Sequence, residues 1–419
     1  MRPVFLLALC MIAGALRADE PAPIALSIDE LVERDLGWAG MDSAPDPTTL
    51  RQAPDQARLP IAAAMHFHGE PGAMTELQRA ILEIQGTHGL FAEQLILPYR
   101  LLAREQAAQG RFKDADRSLA RAQHVTHRLW GNANVAQLSM VEERAGLQAR
   151  LGEFYEAEEL ERLAVRLNRE RFGVTSEAFV DSTTRLGLWL RRQGLYKEAL
   201  TELRGAIKVI SAEAGSDSPL LVPLHRARAM TLLGGPLAGR SIGETERALA
   251  LMDANPDVFS PDERIAARVE LGDLMMIFSY ERWAVREYRK AWELADAAQV
   301  ESWLVRLAKP ELVRTQTFKD PVKVVSVVQE FGFEVDITHD GRVRRAALTR
   351  PMAGPVDYYA PRIFRSEARF RPPIVNGEAV AVHDLRLELA VGPSLYGAPR
   401  VFELFRPMES LATGTSVAF

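Results

Sequence analysis

"GRFKDA" (Gly110–Ala115), "GEFYEA" (Gly152–Ala157) and "GLYKEA" (Gly194–Ala199) are one phrase written three times. Each reads glycine, any residue, aromatic, any residue, acid, alanine, and successive copies start 42 positions apart (152 − 110 = 42; 194 − 152 = 42). Other columns keep the period: Gly89, Gly131, Gly173, Gly215; Ala73, Ala115, Ala157, Ala199 with Ser241 next in step; and Ala80, Ala122, Ala164, Ala206, Ala248. The register slips by one residue at Ala284 and Ala291. Agreement of several columns at one period defines an array of repeats.

The spacing dictates the unit. The two alanine (or serine) columns are seven apart, so they share one face of a helix. Small residues on that face let neighbouring helices approach closely. The glycine before them ends a first helix, and the aromatic is expected to plug the gap between the two helices. The later glycine column is expected to end the second helix in a left-handed conformation. The predicted unit is helix–turn–helix–loop, and stacked units share one core.

The glycine-x-aromatic-x-acid-alanine turn with its downstream alanine resembles the tetratricopeptide repeat. The 42-residue period resembles the variant of kinesin light chains. The resemblance covers roughly residues 52–297, with "GGPLAGRSIGE" standing for the clean turn near Ser241 and a weak unit before Ala73. It implies a groove that binds peptides or partner helices, in which an asparagine of the first helix clamps the ligand backbone. That position holds Leu101, Glu143 and Arg185 here, so Glu143 and Arg185 become candidate partner-binding residues of a different kind.

After about Ala297 the pattern changes. "VKVVSVV" (Val322–Val328) and "FGFEVDI" (Phe331–Ile337) alternate with period two, and Asp340-Gly341 is a hairpin signal before Val343. "VDYYAPRIFRSEARF" reads as a short helix with Asp357 near its start and Pro361 in its first turn; Phe370 and Pro372-Pro373 end it. Asn376-Gly377 turns the chain into "EAVAVHDLRLELAV", a long final strand. The order strand, strand, strand, helix, strand is a small α+β unit.

That order, with Asp340-Gly341-Arg342-Val343, Asp357 and Ala360, Phe370-Arg371-Pro372, Gly377 and Val380, resembles the C-terminal domain of TonB-type energy transducers over roughly 321–391. The resemblance implies β-augmentation, in which a segment of an outer-membrane receptor pairs with an open sheet edge. The expected docking edge is the last strand, with His383 and Leu387 on it. Arg362, Arg365 and Arg369 are expected along one helix face, as a solvated face or as a dock for an anionic or acidic partner.

The fold expected is therefore mainly α: a tetratricopeptide-like helical-hairpin solenoid followed by a small α+β TonB-C-terminal-like domain. The expected boundaries are 1–18 signal peptide, 19–51 linker, 52–297 repeat array, 298–320 linker, 321–391 α+β domain and 392–419 tail. The leader reading rests on Arg2, the short apolar run Val4–Leu16 and Ala18 before Asp19-Glu20. The run is short for a membrane span, so removal near Ala18 and a periplasmic location are expected. Cys10, inside that run, is the single cysteine, which leaves the mature chain no disulfide, iron–sulfur site or cysteine nucleophile.

The 419 residues are 47% hydrophobic and 26% charged with formal net charge −5, ordinary soluble composition without the basic field of a nucleic-acid binder. No later segment is apolar enough to cross a membrane. His66, His68, His124 and His127 are the clustered histidines, and no third ligand completes a metal site. No phosphate loop, nucleophile elbow or paired-carboxylate motif is present, so no catalytic residue, metal or cofactor is assigned. The functional expectation is a non-enzymatic periplasmic adaptor that binds protein or peptide partners in the cell envelope, an outer-membrane protein among the candidates. The alternatives are an energy transducer that keeps an N-terminal anchor, and an enzyme with its site in the 234–243 insertion.

Overall fold

The structure, a computed structural model, describes residues 27–52, 57–314, 329–350 and 356–391. The expected leader (1–18), the strand at Val322–Val328 and the tail from Gly392 lie outside the described residues. The chain is a mainly α array of helical hairpins with a small β-containing region at its C-terminal end. It divides into two compact units, Met1–Glu213 and Ala214–Phe419.

In the first unit, helices α1 (Ile28–Leu36) and α2 (Pro47–Gln52) precede four hairpins. These are α3 (Arg58–Phe67) with α4 (Ala73–His88), α5 (Ile96–Ala108) with α6 (Phe112–Trp130), α7 (Leu138–Leu151) with α8 (Phe154–Phe172), and α9 (Glu177–Arg192) with α10 (Tyr196–Ala214). The alanine columns sit where the spacing put them: Ala115, Ala122, Ala157, Ala164, Ala199 and Ala206 are all buried. The first-to-second helix turn is built on glycine. Gly152 is left-handed (φ 79°, ψ 9°), its N–H bonds to Ala149 O, and Glu153 N–H reaches back to Gln148 O. That double capping satisfies the last carbonyls of α7.

Two expectations need correction here. The later glycine column has positive φ but extended ψ (Gly173, φ 80°, ψ 171°), so it redirects the chain rather than closing a left-handed cap. The aromatic is not a general plug: Phe154 is 49% exposed, while Phe112 packs against the core and carries Arg150 over its ring. Close approach comes from the small residues, and the burial of the aromatic differs from repeat to repeat.

The stretch 19–51, read as linker, contains α1 and α2. α1 starts in a full capping box between Ser27 and Glu30 and ends at left-handed Gly37. Its stripe of Ile28, Leu31 and Val32 is buried in the same apolar cluster as Leu97 and Leu101 of α5.

The second unit holds α11 (Leu221–Leu233) with α12 (Ser241–Ala254), α13 (Pro261–Ile277) with α14 (Glu281–Ala297), and α15 (Glu301–Leu307). Its strands are β1 (Glu311–Arg314), β2 (Gln329–Ile337), β3 (Val343–Leu348), β4 (Arg369–Arg371), β5 (Ile374–Val375), β6 (Glu378–Ala379) and β7 (Val382–Val391), with α16 (Val356–Glu367) between β3 and β4. They form three antiparallel sheets: β1-β4, β3-β2-β7 and β5-β6. Residues 298–320 are thus not simply a linker, because α15 and β1 fall within them; β1 finds its partner in β4, far along the sequence.

The C-terminal region folds onto the last hairpin of the array. Trp303 and Leu307 of α15 and Ile374 of β5 share one apolar cluster with Met276, Tyr288 and Ala291. The Asp340-Gly341 turn closes β2 onto β3 as expected, and it also receives β4. Phe370 N–H donates to Gly341 O, and a Cβ on Gly341 would lie 2.1 Å from Phe370 O. Asn376 (φ 53°) and Gly377 (φ 79°) are both left-handed, the signature of a two-residue hairpin, and they join β5 to β6.

The long final strand is interrupted. Glu378–Ala379 belongs to that small hairpin, and β7 begins only at Val382. Asp384 (φ 53°) then adds a bulge, since Val335 faces Leu385 while Ile337 faces Val382. The helix also differs from expectation. Pro361 is its sixth described residue, not in the first turn, and the helix is over by Glu367. Phe370 therefore lies in β4 instead of at a helix exit.

Candidate functional site

Two surfaces can be built from the residues upward. The first is the face of the first helices in the N-terminal unit. Successive first helices are linked by ion pairs one repeat apart: Arg100 donates to Glu143 at 2.7 Å, and Arg185 meets Glu142 at 2.8 Å. Arg185 also donates to Glu161 at 2.8 Å, and these carboxylates hold its pKa up against the opposing effect of burial. Glu143 and Arg185, the sequence's candidate contacts, are thus already engaged in joining repeats.

The second surface is the outer side of β7. β2 lies in the middle of its sheet, with β3 on one side and β7 on the other. Gly332 O accepts from Thr349 N at 2.9 Å, so the backbone of Gly332 points toward β3. Backbone groups alternate sides along a strand, so Phe333 and Val335 point toward β7. Their partners there are Leu387 and Leu385. It follows that the N–H and C=O of Leu387 are spent inside the sheet, and those of Arg386 and Glu388 face outward. Among the described residues no strand pairs with that outer side.

The two faces of the sheet differ. On one, Phe333, Val335 and Ile337 pack with Ala360 and Phe364 of α16, the rings of Phe333 and Phe364 stacking at 4.6 Å. The helix packs on β3, and Val382, Leu385 and Leu387 remain only partly covered. The other face is charged. Arg345 reaches Asp336 at 3.0 Å and Glu334 at 3.3 Å and also pairs with Asp384. The Arg345 hydrogen bond, then that from Asp384 N–H, holds Asp336 below the usual carboxylate range. Arg386, 80% exposed, stands 3.7 Å from Glu334, and exposed His383 lies 3.9 Å from Asp336.

The expected arginine row is broken up. Arg362 is exposed and stacks 4.0 Å over the Tyr358 ring, and Arg365 is exposed on the same helix. Arg369 is in β4, where its Nε donates to Glu281 at 2.9 Å, so it is not part of the helix face. The reason is local: the helix stops at Glu367 because Arg369–Arg371 is drawn into pairing with β1.

Sequence reasoning missed the groups that fasten this sheet to the array. Arg371, 1% exposed, bonds Asp273 at 2.6 Å and Glu311 at 2.7 Å beneath the Tyr288 ring. Tyr288 donates to Asp273 at 2.8 Å; burial, with Asp273 beside it, pushes this phenol well above its ordinary range. Buried Glu281 accepts from both Arg342 and Arg369. The one signal available was acids within the repeat helices matched by arginines beyond them, which no spacing rule connects.

The histidines are dispersed. His66 pairs with Glu105 at 2.6 Å, His68 bonds Ala44 O, His124 rests edge-on to Phe91 and His127 bonds Gln137. Among the described residues no group of His, Cys, Asp and Glu could hold a metal ion. Near the 234–243 insertion, buried His225 contacts Glu244 at 2.7 Å, and Arg228 and Arg247 join the same carboxylate. Burial works to raise the pKa of Glu244, but the hydrogen bond with His225 and the charges of Arg228 and Arg247 outweigh it and keep the carboxyl below the usual range, which marks a fastening between α11 and α12. Among the described residues no helix is long and apolar enough to cross a membrane.

No family model matches the chain, and no curated protein does. Solved structures do. The kinesin light chain TPR-like repeats of Podosopora anserina align at 16% identity and TM-score 0.40, covering 50% of this chain and 98% of that one. BtubC (BKLC) of P. vanneervenii aligns at 16% identity and TM-score 0.39 (61% and 95%). Aspartyl phosphate phosphatase F of Bacillus subtilis aligns at 11% identity and TM-score 0.42 (68% and 79%).

Proposed function

We propose that this chain is a non-enzymatic adaptor of the cell envelope, exported to the periplasm, whose last strand captures an extended peptide of a partner protein. The observation that carries the reading is the outer side of β7. The backbone groups of Arg386 and Glu388 point away from the sheet, and Leu385 and Leu387 stand half-covered beside them. An added strand would satisfy those backbone groups and cover those leucines. The helical array supplies the second half of an adaptor, since stacked hairpins present an extended surface. The resemblance to TonB-type domains points the same way and makes an outer-membrane protein the first partner to test.

The test uses the full chain against an array of short overlapping peptides from outer-membrane proteins. Wild type should bind a subset of them, and Arg386→Pro and Glu388→Pro should weaken that binding at least tenfold while leaving circular dichroism unchanged. Folded proline variants that bind as wild type does would overturn the strand-addition reading. Fractionation tests the location: recovery of the protein from the cytosol would overturn export.

A further inference from the structure

The turn into α14 breaks the rule of the repeat. Ser279–Ala284 stands where the earlier turns have Gly110–Ala115, Gly152–Ala157 and Gly194–Ala199. Its two ends fix the register. Ser279 takes the left-handed conformation of those glycines (φ 63° against 74°, 79° and 78°), and Ala284 is fully buried, as its column requires. Between them the aromatic and the acid have exchanged places: Glu281 holds the aromatic position and Trp283 the acidic one.

Folding accounts for half of the exchange. Glu281 is buried and takes both Arg342 and Arg369. It does not account for the other half. Trp283 is 57% exposed where Glu156 and Glu198 face solvent, and Tyr280, one turn before it, is 53% exposed. A large ring left in water at a position that elsewhere carries a carboxylate adds nothing to the packing of the hairpin, and a local rule broken without a packing gain points to function.

The surroundings of the ring are cationic. Ala284, Glu287, Tyr288 and Ala291 face the core, so Arg282, Trp283 and Arg286 share the outer face of α14. The Arg286 guanidinium lies over the indole, 4.7 Å from its centroid. Among the described residues no carboxylate comes within ion-pair distance of Arg282 or Arg286. Further along the helix Arg289 is neutralised by Glu378, and Lys290 by Glu287. The exposed aromatics of α8 have the opposite setting, since Phe154 and Tyr155 stand among exposed Glu153, Glu156 and Glu159.

We propose that the outer face of α14, formed by Tyr280, Arg282, Trp283 and Arg286, docks peripherally on an anionic phospholipid surface. Tryptophan and tyrosine are the side chains that settle at headgroup level, with an apolar body and a polar tip. The arginines beside them have no protein acid to satisfy and meet the phosphates. A peptide is held by a groove or by the edge of a sheet, and the outer face of a helix is neither; a bilayer requires only a protruding face. The chain as a whole has a formal net charge of −5, so the attraction is local, acting within a Debye length of about 8 Å at physiological ionic strength. This site is separate from the outer side of β7 and stands whether or not that edge binds peptide.

The experiment is cosedimentation of the full chain with vesicles of equal parts phosphatidylglycerol and phosphatidylcholine, with pure phosphatidylcholine vesicles as the neutral arm. Wild type should prefer the anionic vesicles and show a blue shift of tryptophan emission on binding them. The preference should vanish in salt on the order of 1 M, where the Debye length is about 3 Å. Arg282→Glu combined with Arg286→Glu should weaken the anionic binding about tenfold or more. Trp283→Glu, which writes the acid back into its column, should also weaken binding and remove the blue shift. The replaced side chains are exposed, so thermal melts should stay as in wild type. The proposal is overturned if wild type shows no preference for the anionic vesicles, or if the folded variants sediment as wild type does. Capture of a polyglutamate peptide without any binding of vesicles would overturn the bilayer as occupant and put an acidic protein in its place.

Discussion

The guanidinium of Arg371, in strand β4, and the carboxylate of Asp273, in helix α13, meet at 2.6 Å across 98 residues of sequence. Glu311 is a second carboxylate on the same guanidinium, and Tyr288 covers the pair. Arg371 stays charged because these two acids outweigh the cost of burial, while burial pushes Asp273 up despite the arginine. Removing one partner strands the other charge. Arg371→Met should cost about 3 kcal/mol, read as a lower Tm of the second unit. The same contact predicts that residues 321–391 expressed alone show no cooperative melt, since Asp273, Tyr288 and β1 are then missing.

Glu281 makes stability depend on acid. Its hydrogen bonds to Arg342 and Arg369 lower its pKa even though burial works to raise it. A carboxylate depressed in the folded state contributes stability above its unfolded pKa and loses it as pH falls through the folded value. Tm should therefore drop as pH falls below about 4.5, the ordinary glutamate range. Glu281→Gln should be less stable at neutral pH and show a shallower acid decline. Parallel acid profiles for the two proteins would count against the clamp.

Gly341 is placed by two independent demands. Its φ is +83°, and an added Cβ would lie 2.1 Å from Phe370 O, a backbone atom that cannot swing aside. Gly341→Ala should cost more than about 2 kcal/mol by denaturant titration, from backbone strain together with overpacking. Asn376→Gly, in the other hairpin, should change stability little, because glycine suits a left-handed turn position.

The alanine columns are tested by size. Ala115, Ala157 and Ala199 are fully buried between helices. Replacing any one by leucine should overpack the contact and lower stability by about 1–3 kcal/mol. Unchanged thermal melts for all three would mean that the columns are not packing positions.

Leucine 387 and arginine 386 should respond oppositely to proline. Leu387 points its N–H at β2, opposite Phe333, so Leu387→Pro removes a ladder bond and should destabilise the sheet. Arg386 points its N–H outward, so Arg386→Pro should leave the melting temperature within a few degrees of wild type. The sequence places Leu387 on the last strand, but the residue whose N–H faces outward there is its neighbour Arg386. A shift of one residue reverses every backbone group, and only pairing with β2 sets that register.

Much of the array was legible because its signals are local and repeated. A glycine that must adopt positive φ, and an alanine that must admit a neighbouring helix, act within one hairpin, and the period of 42 multiplies them. The Asp340-Gly341 and Asn376-Gly377 turns were legible for the same reason, since two residues specify each. The helix Ile28–Leu36 lies in the stretch expected to be linker, although its capping box and apolar stripe are present in the ten residues Ser27–Leu36. So short a helix carries little weight until the face it covers, Leu97 and Leu101, is known.

By itself, then, the sequence determined the hairpin unit, its period, the buried small-residue columns and the switch to strands near the C-terminal end. Each follows from the backbone preferences of residues a few positions apart. Tertiary structure alone decided that α1 lies on α5, that Arg369 and Arg371 turn from a helix face to Glu281 and Asp273, and that Arg386 rather than Leu387 offers its backbone on the outer edge. Those outcomes depend on charges and strands brought together across tens of residues, where pairing is set by the burial of whole elements and leaves no periodic trace in the chain.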